Sequence, residues 1–293
     1  MQVHLIDGTY ELFRYFFALP SHVTADGREV SAVRGVLGSL LGLLEDGATH
    51  VGVATDHVIE SFRNELFAGY KTGEGVDPVL LQQFPLLEDV LRAAGFTVWA
   101  MVEHEADDAL AAAAVQAAAD PRVAQVLICT PDKDLGQVVT DDGRIVQLDR
   151  RKGLVLDADG VEAKFGVRPS AIPDYLGLVG DTADGIPGLK GFGAKSAAAV
   201  LRRWGRLEDV PDDGTAWDAD VRGATKLAAT LREQRADAVL YRRLATLETD
   251  AVTVADVEDL RWRGPTPDLD AACDAIDASN LAARARRIAE ARA

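Results

Sequence analysis

Nine acidic side chains fall in five short clusters: Asp7 after the apolar run HLI, Asp56 after VGVAT, Glu105, Asp107 and Asp108 in EADDAL, Asp132 and Asp134 in CTPDKDL, and Asp181 and Asp184 in GDTADGIPG. Carboxylates repel one another and resist leaving water, so a site that gathers several of them needs a compensating positive charge. Divalent metal meets that need. Magnesium and manganese are hard cations that take oxygen ligands, and two of them about 4 Å apart can hold the attacking and leaving oxygens of a phosphodiester in line. The pattern therefore points to metal-dependent phosphoryl transfer. For Asp7 or Asp56 alone a helix cap or loop role is the simpler reading; for the set that reading fails.

The elements that would position these groups are legible in the first half of the chain. Short apolar runs (VHLI, VGVAT, FTVWA, VLICT) alternate with helical spacing over residues 30–45, in VLLQQFPLLEDVLRAAG and in the alanine-rich DDALAAAAVQAAA. Such alternation predicts βαβ units around a parallel sheet, an α/β fold. Reactive groups in open parallel sheets collect at the carboxyl ends of the strands, and Asp7, Asp56 and Asp132 each follow an expected strand. Glu105 and Asp108, three residues apart at a helix start, share a face with Asp107 beside them. The alanine-rich segment reads simply as a good helix former. After a hairpin in IVQLDRRKGLVLD the strand signals largely stop, and from about Val167 the pattern is helical with Gly and Pro punctuation. The expected division is residues 1–165 and 166–293.

Composition narrows the function classes. With 293 residues and 48% hydrophobic content the chain can bury a full core. No stretch approaches the roughly 20 apolar residues that cross a bilayer, and the N-terminus carries no basic leader, so no membrane partner and a cytoplasmic location are expected. Cys129 and Cys273 lack metal or disulfide spacing. The five histidines show no mutual ligand spacing and read as bystanders, although His57 and His104 flank carboxylates. A net charge of −16 looks wrong for a nucleic-acid binder, yet from Gly185 to Arg206 there is no acidic residue while Lys190, Lys195, Arg202, Arg203 and Arg206 are present. A second basic stretch runs from Arg222 to Arg243.

The first basic run coincides with GIPGLKGFGAKSAAAVLRRW, which resembles a helix-turn-helix of the hairpin type. Gly188, Gly191 and Gly193 would allow turns that a Cβ blocks, and the amides from Gly191 to Lys195 would open the next helix toward a phosphate. That contact is blind to base sequence. The bland alternative is a tight connection with glycine caps.

Taken in order, DG…R…F, SFR…YK, EADD, DKDL.Q and GD..D.IPG.KG.G.K.A resemble the 5′-nuclease family of flap endonucleases and 5′-3′ exonucleases, as in the N-terminal domain of bacterial DNA polymerase I. The resemblance runs from Val3 to about Ile288 and implies a PIN-like parallel sheet flanked by helices, a helical arch over about 62–95, and a mostly helical domain with a helix-three-turn-helix. It implies that Asp7, Asp56, Glu105 and Asp107 serve one of two Mg²⁺ or Mn²⁺ ions, with Asp132 shared or close by. Asp134, Asp181 and Asp184 would serve the other, and Asp108 would lie between the groups. Arg14, Arg63 and Lys71 match basic residues near the scissile phosphate. Lys190, Gly191, Gly193, Lys195, Ser196, Arg202 and Arg203 would hold duplex DNA, with K⁺ at the turn. The implied substrate is DNA with a 5′ end, nick or flap, cut by a monomer that stands alone, since the chain stops where that nuclease domain would end. Two departures stand out: Glu74 occupies the position of an arginine in YKxxR, and Ala183 and Gly185 replace Ser and Asn. A non-catalytic DNA-junction binder on the same fold is the alternative, although none of its carboxylates is missing here.

Overall fold

The computed structural model describes residues 1–218 and 220–292. The apolar runs become β1 (Gln2–Asp7), β2 (His50–Asp56), β3 (Thr97–Met101) and β4 (Gln125–Cys129), all parallel, in the spatial order β3-β2-β1-β4. They are buried on both faces, as the continuous apolar runs require: Val3, Leu5, Ile6, Val51, Val53, Val126 and Ile128 are essentially inaccessible. Because every pair is parallel, all four carboxyl ends lie on one edge, and the register sets Asp7 opposite Ala54 and Asp56 opposite Met101.

These strands belong to a first compact unit made of residues 1–59, 73–130 and 249–293; residues 60–72 and 131–248 form a second. In the first unit the Ser31–Glu45 helix buries Val33, Val36, Leu37, Leu40, Leu41 and Leu44, each such side chain contributing about 2 kcal/mol by area. The Ala106–Ala119 helix is more than a good helix former. Ala109 and Ala111 to Ala114 are wholly buried with Leu110, and the helix packs on β1, β2, β3 and β4, where small side chains let it lie close to the sheet. The helix expected in VLLQQFPLLEDVLRAAG is broken into Pro78–Leu81 and Gln83–Ala93. Pro85 has no N–H to offer Leu81, so the hydrogen-bond ladder is interrupted there.

The chain from Thr249 onward, which its helical pattern groups with the second half, packs in this first unit. Trp262 donates its main-chain N–H to Thr49 O (2.8 Å) and its indole N–H to Ala94 O (2.8 Å), and the Ser279–Arg292 helix lies on Ser31–Glu45 with Arg284 paired to Glu45. Burial of Trp262, Leu269, Cys273 and Ile276 decides this destination, and helical spacing alone does not specify it.

The second unit contains the expected hairpin, β5 (Ile145–Asp149) paired antiparallel with β6 (Leu154–Leu156). Its helices are Phe62–Leu66, Ala158–Phe165, Ile172–Val179, Ala194–Trp204, Ala224–Glu233 and Arg235–Ala245. They enclose a core that includes Val161, Ile172, Leu176, Leu178, Val200, Leu201, Leu231 and Leu244.

Candidate metal centres and nucleic-acid interface

In the first unit the carboxylates sit where strands stop and helices start. Asp7 ends β1 and caps the Gly8–Ala18 helix: its carboxylate accepts from Tyr10 N (2.8 Å) and from Thr130 Oγ1 (2.9 Å). Asp56 ends β2 and accepts from Ala106 N (2.7 Å), while its own N–H donates to Thr9 Oγ1 (2.8 Å). That bond brings the start of the Ala106–Ala119 helix, with buried Glu105 and half-buried Asp107, to the Asp56 end of the sheet. Asp108 is fully buried and accepts from Glu105 N (2.9 Å). Asp7 thus holds the cap role while standing at the carboxyl end of its strand.

The second unit assembles its acids on irregular segments. Asp132 accepts from Asp134 N (2.9 Å), and Asp134 opens the short 3-10 turn Asp134–Val138. Asp181 and Ile186 exchange main-chain bonds (2.8 and 2.7 Å) that close the Thr182–Gly185 loop, and Asp181 also accepts from Ala183 N (3.0 Å). Gly185, where the family has Asn, is at φ +74° and its absent Cβ would lie 2.1 Å from Gly69 O, so the loop fits against residues 69–71 only as glycine. Lys71 N donates to Asp184 O (2.9 Å).

One carboxylate oxygen from each of Asp134, Asp181 and Asp184 lies within 4.8 Å of the others. Lys133 pairs with Asp181 and Lys71 with Asp184 (3.0 Å). Burial works against the Lys133 ammonium, but its bond to Asp181 and the charges of Asp181, Asp134 and Asp132 hold its pKa above the ordinary range. Asp134 Oδ1 is buried with no hydrogen-bond partner, and burial, then the charges of Asp132, Asp184 and Asp181, push the Asp134 pKa well above the usual carboxylate range. An unpartnered buried oxygen among three hard donors fits a divalent cation.

The basic residues divide sharply. Arg14 is half-buried, paired with buried Glu11 and stacked 4.0 Å over Tyr15. Arg63, expected near a scissile phosphate, is instead 1% exposed. It donates to Leu244 O (2.7 Å) and Thr246 O (3.1 Å), which ties residues 60–72 to the end of the Arg235–Ala245 helix. In this position the buried guanidinium serves as an internal anchor. Lys71 remains partly accessible, 27% by its side chain.

At the glycine turn, Gly188 (φ +67°) and Gly191 (φ +94°) occupy the left-handed region as expected. Gly193 does not: it is extended (φ −137°, ψ 175°), and a Cβ there would meet nothing within 4 Å. Ser196 Oγ accepts from Gly193 N (3.0 Å) and donates to Gly193 O (3.1 Å), closing the start of the Ala194–Trp204 helix. Lys190, Gly191, Lys195 and Arg202 are exposed; Arg203 is also exposed but forms a two-point pair with Asp218 (2.6 and 2.7 Å). A groove of about 710 Å³ beside this helix is lined by Lys195, Arg202 and Arg203 together with Lys164 and Tyr175, neither of which the sequence singled out. In the second basic stretch Arg235 bonds Val210 O and Asp212, Arg242 bonds Asp174 and Glu208, and Arg243 pairs with Glu248, while Arg222, Lys226 and Arg232 are exposed.

The family model for the N-terminal resolvase-like domain of 5′-3′ exonucleases matches residues 2–166, and that for their C-terminal SAM fold matches residues 167–268. The chain belongs to the 5′-3′ exonuclease family. It is 31% identical over 265 residues to the 5′-3′ exonuclease of Aquifex aeolicus, covering 90% of this chain and 87% of that one. It is 38% identical over 267 residues to DNA polymerase I of Pseudomonas aeruginosa, covering 87% of this chain but spanning only 28% of that protein. Among solved structures, the bacteriophage T5 flap endonuclease, in a pseudo-enzyme-product complex with DNA and metal ions, matches with a TM-score of 0.66 at 20% identity over 99% of this chain and 100% of its own. The catalytic core of Rad2 in complex with DNA substrate matches at 0.60 and 16% identity, over 96% and 91%. These likenesses show the fold. Among the described residues no helix is long and apolar enough to cross a membrane.

Sequence reasoning missed two further groups near the family's carboxylates. Thr130 binds Asp7, and its signal was its place directly after β4. Buried Glu88 accepts from Thr55 Oγ1 (2.8 Å) and lies 2.8 Å from His57 Nδ1. Thr55 alternates with Asp56 along β2, so it occupies the opposite face of the strand, and His57 follows directly after it. A carboxylate inside a helical repeat gives no sequence signal for such a pairing.

Proposed function

We propose that the chain is a divalent-metal-dependent 5′ nuclease that hydrolyses DNA phosphodiesters at 5′ ends, nicks and flaps. The observation that carries this reading is the unpartnered, buried Asp134 oxygen beside Asp181 and Asp184, a cluster suited to a cation. The Asp134, Asp181 and Asp184 set would hold one Mg²⁺ or Mn²⁺ ion with Asp132 nearby, and the Asp7, Asp56, Glu105 and Asp107 set would hold another. When bound, such ions lower the pKa of water toward neutrality and stabilise a leaving oxygen. Lys71, the partly open cation beside Asp184, would offset phosphate charge. Asp108 positions Glu105 by capping the helix that carries it.

Duplex DNA would be held by its phosphates at Lys190, Gly191, Lys195 and the amides opening the Ala194–Trp204 helix, with Ser196 shaping that start and Arg202 extending the contact. Extended Gly193, with open space at its Cβ position, leaves room for a phosphate to approach the backbone. The left-handed turn before it would take K⁺ through carbonyls. The relatives' names, the DNA and metal ions in the T5 complex and the DNA substrate in the Rad2 complex support this reading. Incubation with end-labelled flap, nicked and blunt duplexes tests it: cleavage in Mg²⁺ or Mn²⁺ that stops with chelator is expected. Binding without cleavage under every metal condition would leave a DNA-junction binder instead.

A further inference from the structure

We propose that the amino-terminal edge of the parallel sheet carries a second binding site, a pocket that takes a short acidic peptide segment of a partner protein. The pocket has a volume of about 640 Å³ and is lined by Gly47, Thr49, Arg261, Trp262, Arg263 and Arg292 together with Ala289. Thr49 immediately precedes β2, whose other end carries Asp56, so roughly 20 Å of strand separates the pocket from the carboxylate edge. It is a separate site and would leave that edge open.

Its construction is a rigid apolar floor with a cationic rim. Arg261 bridges to His50 in extended backbone, and alternation sends Arg261 and Arg263 to one side while the intervening Trp262 turns inward. The indole is 5% exposed, bonded to Ala94 O and packed near Phe96. The Arg292 guanidinium lies 5.6 Å from the indole centroid and donates to Leu44 O. Among the described lining residues none is acidic, in a chain of net charge −16. Glu258 approaches Arg261 (3.4 Å) and Arg263 (3.6 Å) only loosely, and those side chains are 54% and 67% exposed. One carboxylate leaves an excess of guanidinium donors, whose planar forks match carboxylate oxygens.

The surroundings favour a short acidic peptide over nucleic acid. A strand needs a continuing track of cations for successive phosphates, whereas the adjoining recess that shares Gly47 and Thr49 contains Asp46. The buried indole also offers no open face on which a base could stack. A peptide needs only two or three carboxylates for the rim and one apolar side chain against Gly47 and Ala289.

Fluorescence anisotropy of the full chain with a labelled peptide of about eight residues, rich in Asp and Glu with a single Phe, tests the proposal. Saturable binding is expected, weakened about tenfold or more by Arg261→Glu with Arg263→Glu, while DNA cleavage and duplex affinity stay unchanged. Arg261→Gln with Arg263→Gln, a milder change, should weaken peptide binding with an unaltered melting temperature, which separates recognition from folding. Undiminished peptide affinity in both double variants would overturn the site. Displacement of the peptide by single-stranded oligothymidylate at equal concentration, lost in the same variants, would show a nucleic-acid site and overturn the peptide assignment.

Discussion

In the first unit the carboxylates hang on regular elements, whereas in the second they hang on a 3-10 turn and a closed loop. Asp7 and Asp56 each engage a backbone N–H at a helix start, so the fold itself compensates part of their charge through hydrogen bonds and the helix dipole. Asp134 lacks such compensation at Oδ1, and its neighbours are held by Lys133 and Lys71. The first set is organised by secondary structure; the second stores repulsion that a cation would relieve.

The largest expected effect breaks the comparison most directly. Asp134→Asn should slow cleavage in Mg²⁺ by roughly 10³-fold or more, since several kcal/mol of charge stabilisation are lost. The same variant should melt several degrees higher than the parent in chelator, because the parent must either bury the Asp134 charge or take up a proton in order to fold. Single-turnover cleavage and thermal melts check both, and a lower metal-free melting temperature would remove the stored-repulsion account.

Next comes pH. The folded Asp134 pKa lies above its unfolded value, so the folded state holds a proton that the unfolded state has released. Its contribution to stability is therefore present below the unfolded pKa near 3.9 and is lost as pH rises toward the folded pKa. Urea midpoints in chelator should fall from about pH 4 upward in the parent through this group and fall less in Asp134→Asn; divalent metal should restore the parent.

Asp108→Ala should behave in the opposite way, with metal playing no part. Loss of the bond to Glu105 N leaves a buried donor unsatisfied and costs about 1–3 kcal/mol. Denaturant titration should return the same loss with and without Mg²⁺, and a metal-dependent loss would assign Asp108 to a ligand set.

Smaller effects sharpen the DNA side. Lys195→Ala should weaken duplex binding for unrelated sequences and reduce the log-log salt slope by about one, while Arg203→Ala should do less because Asp218 already occupies that guanidinium. Glu74 is exposed in the turn after Lys71, and Glu74→Arg should steepen the salt dependence of flap binding by about one unit and leave blunt duplex nearly untouched. Equal changes on the two substrates would detach position 74 from the flap.

The parallel sheet and the acids that end its strands were legible in the sequence because both rest on local rules: apolar runs of strand length, turns after them, and helix starts that accept carboxylates. The left-handed turn at Gly188 and Gly191 was legible for the same reason. Local pattern did not reveal that Arg63 is buried, that Gly193 is extended, that Arg235 and Arg242 are spent on ion pairs, or that residues after Thr249 return to the sheet. Gly193 apart, each depends on partners more than 10 residues away, such as Leu244 and Thr246 for Arg63 and Ala94 for Trp262. The sequence by itself determined which charges and which secondary structures exist, since composition and short-range spacing suffice for that. Only the tertiary structure decided which charges face solvent and which are neutralised inside, because desolvation and pairing depend on what packs against a side chain once the chain has folded.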